Sequence, residues 1–138
     1  MGEPIQSFKE LRVYQLACDL DYRVFLETKA WPQEEKYALV DQIRRSSRAV
    51  GANLAESWAK RRYPAHFLSK LTDADGELQE TIHWLGRATA CGYLSPSKEK
   101  ALELLCQEIG RKLGKMMQNP PPSARGCPPS SVICPHVG

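Results

Sequence analysis

One acidic segment of the chain contains side chains that could bind a metal ion. Asp73-Ala74-Asp75-Gly76-Glu77 is similar to the start of a calcium-binding loop. Such a loop ends with a bidentate glutamate at its twelfth position, where this chain has Trp84. The segment also lies within a helical pattern of apolar residues, so we interpret its carboxylates as solvated or salt-bridged.

A second candidate is Glu80-Thr81-Ile82-His83, which matches the Glu-x-x-His motif of di-iron helix bundles. A di-iron site needs two such motifs and two further inward carboxylates, whereas the chain has one motif. Glu80 also falls on the helix face away from its apolar neighbours. The sequence therefore predicts no metal and no cofactor. Of three hypotheses for the function of the protein, a metal or small-molecule site inside the bundle ranks last.

Catalytic motifs are not evident. His66 stands at a predicted helix start and His136 near the C-terminus, and neither has a nucleophile or carboxylate at a telling spacing. The chain has no glycine-rich phosphate loop and no Gly-x-Ser-x-Gly sequence. We therefore expect that the protein is not an enzyme.

The five cysteines are an odd number and contain no Cys-x-x-Cys pair, which argues against a disulfide framework and a zinc knuckle. Cys18, Cys91 and Cys106 fall in helical segments and are expected to behave as small buried hydrophobes.

Positive charge is concentrated in one segment, residues 44–62. Its six basic residues and one acidic residue give a net charge of +5, against +3 for the whole chain. Guanidinium groups bind phosphate, and the flanking Trp58 and Tyr63 could stack on unpaired bases. We predict that phosphate contacts come from Arg44, Arg45, Arg48, Lys60, Arg61 and Arg62.

Other interpretations of this basic segment remain open. Residues 60–62 could cap the negative end of a helix. The three arginines at 44–48 could pair with Glu56 or with the acidic third helix, or they could line a subunit interface.

The elements that position these residues are four predicted helices, at about 7–30, 33–60, 64–91 and 96–118. Apolar residues recur at helical spacing in each, and prolines mark the boundaries. Short links imply antiparallel neighbours, so residues 1–118 are predicted to form an all-α, antiparallel up-down-up-down four-helix bundle. Residues 119–138, rich in Pro, Ser and Gly, are predicted to be a disordered tail.

Localisation is expected to be cytoplasmic. No apolar run approaches the roughly 20 residues of a membrane-spanning helix, so no membrane association is predicted. The first residues lack the basic start and apolar stretch of a signal peptide.

The middle of the second helix, residues 46–52, is built from small residues. Gly51 there costs about 1 kcal/mol relative to alanine. We interpret the segment as a tight crossing with another helix, at which a second backbone approaches closely.

Several sequence blocks resemble a known family. They are Phe8-Lys9-Glu10-Leu11-Arg12-Val13-Tyr14-Gln15, Gln42-Ile43-Arg44-Arg45-Ser46, Asn53-Leu54-Ala55-Glu56 and Cys91-Gly92-Tyr93-Leu94. In this order they resemble the bacterial four-helix-bundle family found as open reading frames in intervening sequences of large-subunit ribosomal RNA genes. The family usually has glycine after the third block, where this chain has Ser57.

The resemblance implies a non-enzymatic cyclic homo-oligomer, typically a pentamer with a central channel. A related branch serves as the accessory protein of diversity-generating retroelements, where it binds a reverse transcriptase and nucleic acid. The ribosomal branch is associated with ribosomal RNA through gene position. The small-residue crossing predicts structural or interface roles for Ser47 and Gly51. The resemblance extends such roles to Asn53 and Glu56, through buried hydrogen bonds to a neighbouring helix or subunit.

Two hypotheses for function follow. The first is an oligomeric RNA- or DNA-binding accessory protein that uses the basic segment. The alternative is a protein-interaction scaffold whose basic segment docks an acidic partner, such as a polymerase surface, without contacting nucleic acid.

Overall fold

The computed structural model describes residues 4–119, which form four α-helices and no strand. The helices are α1 (Arg12–Thr28), α2 (Leu39–Ala59), α3 (Pro64–Ala90) and α4 (Pro96–Gln118). This arrangement confirms the predicted all-α four-helix fold. Asn119 is the C-cap of α4, and the rest of the predicted tail lies outside the described residues.

The last two helices begin where the sequence predicts, because their termini carry strong local signals. Pro64 and Pro96 occupy first-turn positions, where the missing backbone N–H costs nothing. The Ser95 hydroxyl accepts the Lys98 backbone N–H at 3.2 Å as an N-cap. Gly92 follows α3 with a φ of +80°, a conformation that glycine adopts without strain.

The first two helices are shorter than predicted. Ser7 and Glu10 form a reciprocal capping box around a separate 3₁₀ turn, Phe8–Glu10. Leu11 is extended, with φ −69° and ψ 127°, and separates this turn from α1. A second 3₁₀ turn, Gln33–Glu35, precedes α2, and non-helical Ala38 delays the start of that helix. Hydrogen bonds within each 3₁₀ turn satisfy the backbone groups there, so these residues do not need to join the following helix. The periodicity of apolar residues alone therefore predicted both helices to be longer than they are.

Contacts between helices show that chain neighbours run antiparallel. Arg45 of α2 reaches Glu77 of α3, whereas Glu56, farther along α2, reaches the earlier residue Lys70. In the same way, Arg44 lies against the end of α1 and Gly51 lies nearer its start. α4 packs against α3 and α1, which closes an up-down-up-down ring of four helices.

The centre of the bundle contains one interhelical polar contact. The Ser46 and Thr81 hydroxyls are fully buried and lie 2.9 Å apart, joining α2 to α3. Each hydroxyl also contacts a carbonyl of its own helix, Ser46 with Ile43 and Thr81 with Glu77. These contacts give both hydroxyls partners within a mainly apolar core, whose large members include Leu20, Ile43, Leu54, Phe67, Leu71, Leu78, Leu85, Ile109 and Leu113.

The tight crossing predicted at Gly51 differs from what the structure shows. A Cβ atom at Gly51 would lie 3.5 Å from Tyr14 Cε1 and 3.9 Å from Ala17 Cβ. These are ordinary contacts with side chains of α1, and no foreign backbone atom is among its nearest neighbours. Packing within one chain therefore leaves room for a methyl group at this position.

The connection between α1 and α2 packs against the connection between α3 and α4. Trp31 is buried, and its ring centroid lies 6.0 Å from that of Tyr93, in the α3–α4 connection. The Tyr93 hydroxyl donates to Glu35 at 2.8 Å, which raises the pKa of Tyr93 to about 12. These contacts hold residues 31–35 in place beside the start of α2.

Replacing Gly51 tests whether its small size is needed. We expect Gly51→Ala to stabilise the folded chain by about 1 kcal/mol, because alanine is the better helix former and its methyl group fits. Gly76→Ala, in the exposed interior of α3 with nothing within 4 Å, is the matched control. Both free energies of unfolding are measured by urea denaturation. Loss of stability in Gly51→Ala alone would show that another surface, such as a second subunit, packs on the glycine.

The three described cysteines differ in environment. Cys106 is fully buried, Cys18 is half-buried, and Cys91 is exposed at the end of α3, contrary to the expectation that all three are buried. Cys91 is the C-cap, so its side chain lies beyond the last packed turn. Burial raises the pKa of the Cys106 thiol to about 12.

Thiol alkylation should separate Cys91 from Cys106. We expect iodoacetamide at pH 8 to modify Cys91 in the folded protein and to leave Cys106 intact, because Cys106 is both inaccessible and protonated there. Peptide mass mapping measures the modification, and unfolding in guanidinium should make both thiols react. Equal rates in the folded protein would show that the α3–α4 core opens readily.

Candidate nucleic-acid interface

The six predicted phosphate-binding residues form two groups rather than one patch. Arg44, Arg45 and Arg48 lie in the first half of α2, whereas residues 60–62 lie in the turn after it. A rise of 1.5 Å per residue places Arg44 and Lys60 about 24 Å apart along the helix axis. Each group therefore presents its own surface.

Arg44 is held between α1 and α2. Its Nε donates to the Thr28 hydroxyl at 2.8 Å, and one terminal nitrogen donates to the Phe25 carbonyl at 3.5 Å. The guanidinium carbon lies 4.9 Å from the centre of the Phe25 ring, within cation–π range. These contacts fix the guanidinium orientation and leave its other N–H groups without an acceptor among residues 4–119.

Arg45 turns the other way, towards α3. It forms ion pairs with Glu77, at 3.2 Å, and with Glu80. Hydrogen bonds from the Trp84 indole and from Arg45 lower the pKa of Glu80. Two carboxylates therefore balance the Arg45 charge, as the interpretation of pairing with the acidic third helix anticipated. This arginine is less available to phosphate than its neighbours.

Arg48 is exposed one turn farther along α2. Burial raises the pKa of the Asp21 carboxyl on α1, and the positive charge of Arg48 opposes that rise. The two side chains form no ion pair within 4 Å, so the charge of exposed Arg48 acts on Asp21 without direct contact.

The second group lies at the end of α2. Arg61 donates to the Trp58 carbonyl at 2.8 Å and stacks on the Trp58 ring at 4.4 Å, so it caps the helix as the alternative interpretation proposed. Trp58 itself is only 9% exposed and cannot offer a free ring face to a base. Lys60 is half-buried, and Arg62 and Tyr63 are exposed beside it.

A shallow groove of about 610 Å³ follows the outer face of α2 and collects the first group. We name it the α2 groove; its polar lining residues are Lys36, Tyr37, Asp41, Arg44, Arg45 and Arg48. Four of these are basic and one is acidic. The Tyr37 side chain is 84% exposed, with the Lys36 amine 5.4 Å from its ring centre.

Sequence reasoning missed Lys36 and Tyr37 because it placed them inside a continuous helix. Both residues lie in the turn before α2, so helical spacing does not relate them to the arginines, and only the tertiary structure places them beside Arg44 and Arg45. The groove thus combines cations with an exposed aromatic ring, a combination typical of surfaces that bind single-stranded nucleic acid.

The four residues predicted to have structural or interface roles differ in burial: Ser47 and Gly51 are buried, Asn53 is half-buried and Glu56 is exposed. Ser47 is buried, and its hydroxyl donates to the Arg44 carbonyl of its own helix at 3.2 Å. Asn53 donates to the Ala49 carbonyl of the same helix at 2.9 Å. Glu56 is exposed and forms an ion pair with Lys70 of α3 at 2.9 Å. Within the chain, neither residue makes a buried bond to another helix, because Asn53 bonds its own helix and Glu56 is exposed. Buried bonds from these residues to a neighbouring subunit stay a prediction.

The acidic motifs have structural partners. Glu80 accepts hydrogen bonds from Trp84 and Arg45, and Asp73 lies 3.7 Å from Lys70. Among residues 4–119, no three His, Cys, Asp or Glu side chains are grouped closely enough to hold a metal ion. None of the four helices is both long and apolar enough to cross a membrane.

Comparisons with known proteins agree on the fold. A crystal structure of a protein of unknown function from the S23 ribosomal protein family of Bacteroides thetaiotaomicron superimposes with a TM-score of 0.70. The two sequences are 23% identical, and the match covers 77% of this chain and 95% of that one. No curated protein shows significant sequence similarity to the chain.

The family comparison covers α1 to α3 and most of α4. Residues 9–115 match the model of the 23S rRNA-intervening sequence protein family. This range includes the Gln42–Ser46 and Asn53–Glu56 blocks. The chain therefore belongs to the 23S rRNA-intervening sequence protein family.

Proposed function

We propose that the protein is a non-enzymatic, oligomeric RNA-binding accessory protein that acts in the cytoplasm. The observation that carries this proposal is the α2 groove, in which Lys36, Arg44 and Arg48 lie beside the exposed ring of Tyr37. Membership of a family described by its relation to 23S ribosomal RNA favours RNA as the polyanion.

The groove suits a phosphate backbone for electrostatic reasons. Lys36 and Arg48 have no carboxylate within 4 Å among the described residues, so their charges face solvent. Each such cation that neutralises a phosphate releases counterions, which makes binding favourable at low salt and weaker as salt rises. Arg45 contributes less, because Glu77 and Glu80 already balance it.

Oligomerisation would multiply this surface. The proposed state is a homo-oligomer of about five subunits, as the family resemblance implies, in which several grooves engage one strand. Linked sites of modest affinity then act together, and the overall affinity exceeds that of one groove. For the related branch of accessory proteins, the matching proposal is a role in a diversity-generating retroelement with a reverse transcriptase as partner.

Removing charge from the α2 groove should weaken RNA binding. We expect Lys36→Gln with Arg48→Gln to lower affinity for a short single-stranded RNA. The slope of log K against log salt should fall by about 0.7 for each phosphate that the protein no longer neutralises. Fluorescence anisotropy across a salt series measures both quantities.

The matched control is Lys100→Gln with Arg111→Gln, which removes two exposed charges from α4. We expect this variant to bind as the parent protein does. Equal losses of affinity in the two variants would show that net charge alone, and not the groove, determines binding. A loss of affinity confined to Arg62→Gln would move the interface to the end of α2.

Mass in solution tests the oligomer separately. We expect light scattering after size-exclusion chromatography to give the mass of about five chains, independent of added RNA. A mass of one chain at micromolar concentration would contradict the oligomer while leaving RNA binding by single grooves open to the anisotropy test. Recovery of a partner protein that resists nuclease, without RNA binding, would instead support the scaffold alternative.

A further inference from the structure

A smaller pocket adjoins the α2 groove where the end of α1 meets the start of α2. Its volume is about 310 Å³, at the lower end of the range for small-ligand sites. We name it the α1–α2 pocket, and the residues that matter here are Phe25, Thr28, Lys29, Trp31, Lys36 and Arg44. Lys36, Val40 and Arg44 line both the pocket and the groove, so the two concavities are continuous.

The pocket combines two aromatic rings with three cations. Phe25 and Trp31 supply the rings, and no acidic side chain is among the lining residues. The α2 groove, by comparison, contains Asp41. A ligand that fits this lining must therefore carry both a flat apolar group and negative charge.

The cations are already positioned around the Phe25 ring. The Lys29 amine lies 4.8 Å from the ring centre, and the Arg44 guanidinium carbon lies 4.9 Å from it. Hydrogen bonds to Thr28 and to the Phe25 carbonyl keep Arg44 in place. A guanidinium held in this way offers a planar face for stacking and N–H donors for a phosphate at little entropic cost.

Trp31 provides an independent observation. Its side chain is 93% buried, at 7% exposure, and its indole Nε1 is the buried side-chain polar atom that lacks a hydrogen-bond partner among residues 4–119. Buried donors are normally satisfied, and each exception calls for an explanation. Trp31 is among the lining residues, so a buried donor without a partner belongs to the wall of the pocket.

We propose that the α1–α2 pocket binds one unpaired nucleotide of a single-stranded RNA whose adjacent phosphates follow the α2 groove. The base lies against Phe25 and the Arg44 guanidinium, and its phosphate is bound by Lys29 and Lys36. This inference rests on the proposed RNA-binding function and adds a strand preference to it. A duplex cannot place a base in the pocket without unpairing it, so the site selects single strands.

The experiment compares an intact RNA strand with the same strand carrying abasic nucleotides, and with its duplex. Anisotropy should show that the parent protein binds the intact strand about tenfold more tightly than either, the effect of one stacked base. This comparison uses the unaltered protein and does not depend on any variant folding.

Two variants then assign the contacts. Phe25→Leu keeps apolar volume and removes the ring, so it should weaken binding of the intact strand by about tenfold and leave abasic binding and the salt slope unchanged. Lys29→Gln should weaken binding of both strands and lower the salt slope by about 0.7. The controls are Phe8→Leu and Lys9→Gln, outside the pocket, which should change neither quantity.

Each other outcome overturns part of the scheme. Equal binding of intact and abasic strands, or an equal loss of affinity for both in Phe25→Leu, rejects the pocket while the groove is retained. Binding of free adenosine monophosphate as tightly as the strand rejects the assignment to a strand. Absence of RNA binding by the parent protein at low salt rejects the pocket and the proposed function together.

Discussion

The buried contact between Ser46 and Thr81 sets the rotation of α2, and much of the surface follows from it. Two hydroxyls 2.9 Å apart in an apolar core satisfy each other only when α2 presents this face to α3. A turn of α2 about its axis would break this contact at a cost of about 0.5–1.5 kcal/mol, the net value of one hydrogen bond, while each hydroxyl kept the carbonyl of its own helix. The rotation is therefore specified more strongly than by apolar packing alone.

That rotation distributes the arginines of α2 between its neighbours. Arg44 precedes the buried Ser46 by two residues and contacts α1, whereas Arg45 contacts the carboxylates of α3. Arg48 lies a turn beyond Arg44 and remains exposed. Three similar side chains thus acquire three different environments: Arg44 is held by hydrogen bonds, Arg45 is ion-paired and Arg48 is exposed.

The connection before α2 completes the site for a related reason. Trp31 must be buried to close the end of the bundle, and its contact with Tyr93 holds the following turn in place. Lys36 and Tyr37 come directly after that turn and so lie beside the arginines. The structural neighbour from Bacteroides thetaiotaomicron, at 23% identity, supports the fold and does not assign a function.

The sequence alone determined the number of helices, the boundaries of α3 and α4, and the family. These features follow from local signals, which can be recognised in the sequence without knowledge of tertiary contacts. The signals are the periodicity of apolar residues, Pro64, Ser95-Pro96 and Gly92. Only the tertiary structure decided which charges are available. The ion pairs of Arg45 and the pocket between Phe25, Trp31 and Arg44 join residues distant in sequence. Capping by Arg61 is local, and the sequence had left it open beside phosphate binding. A run of basic residues states how much charge is present, but its partners across the bundle determine how much of that charge faces solvent.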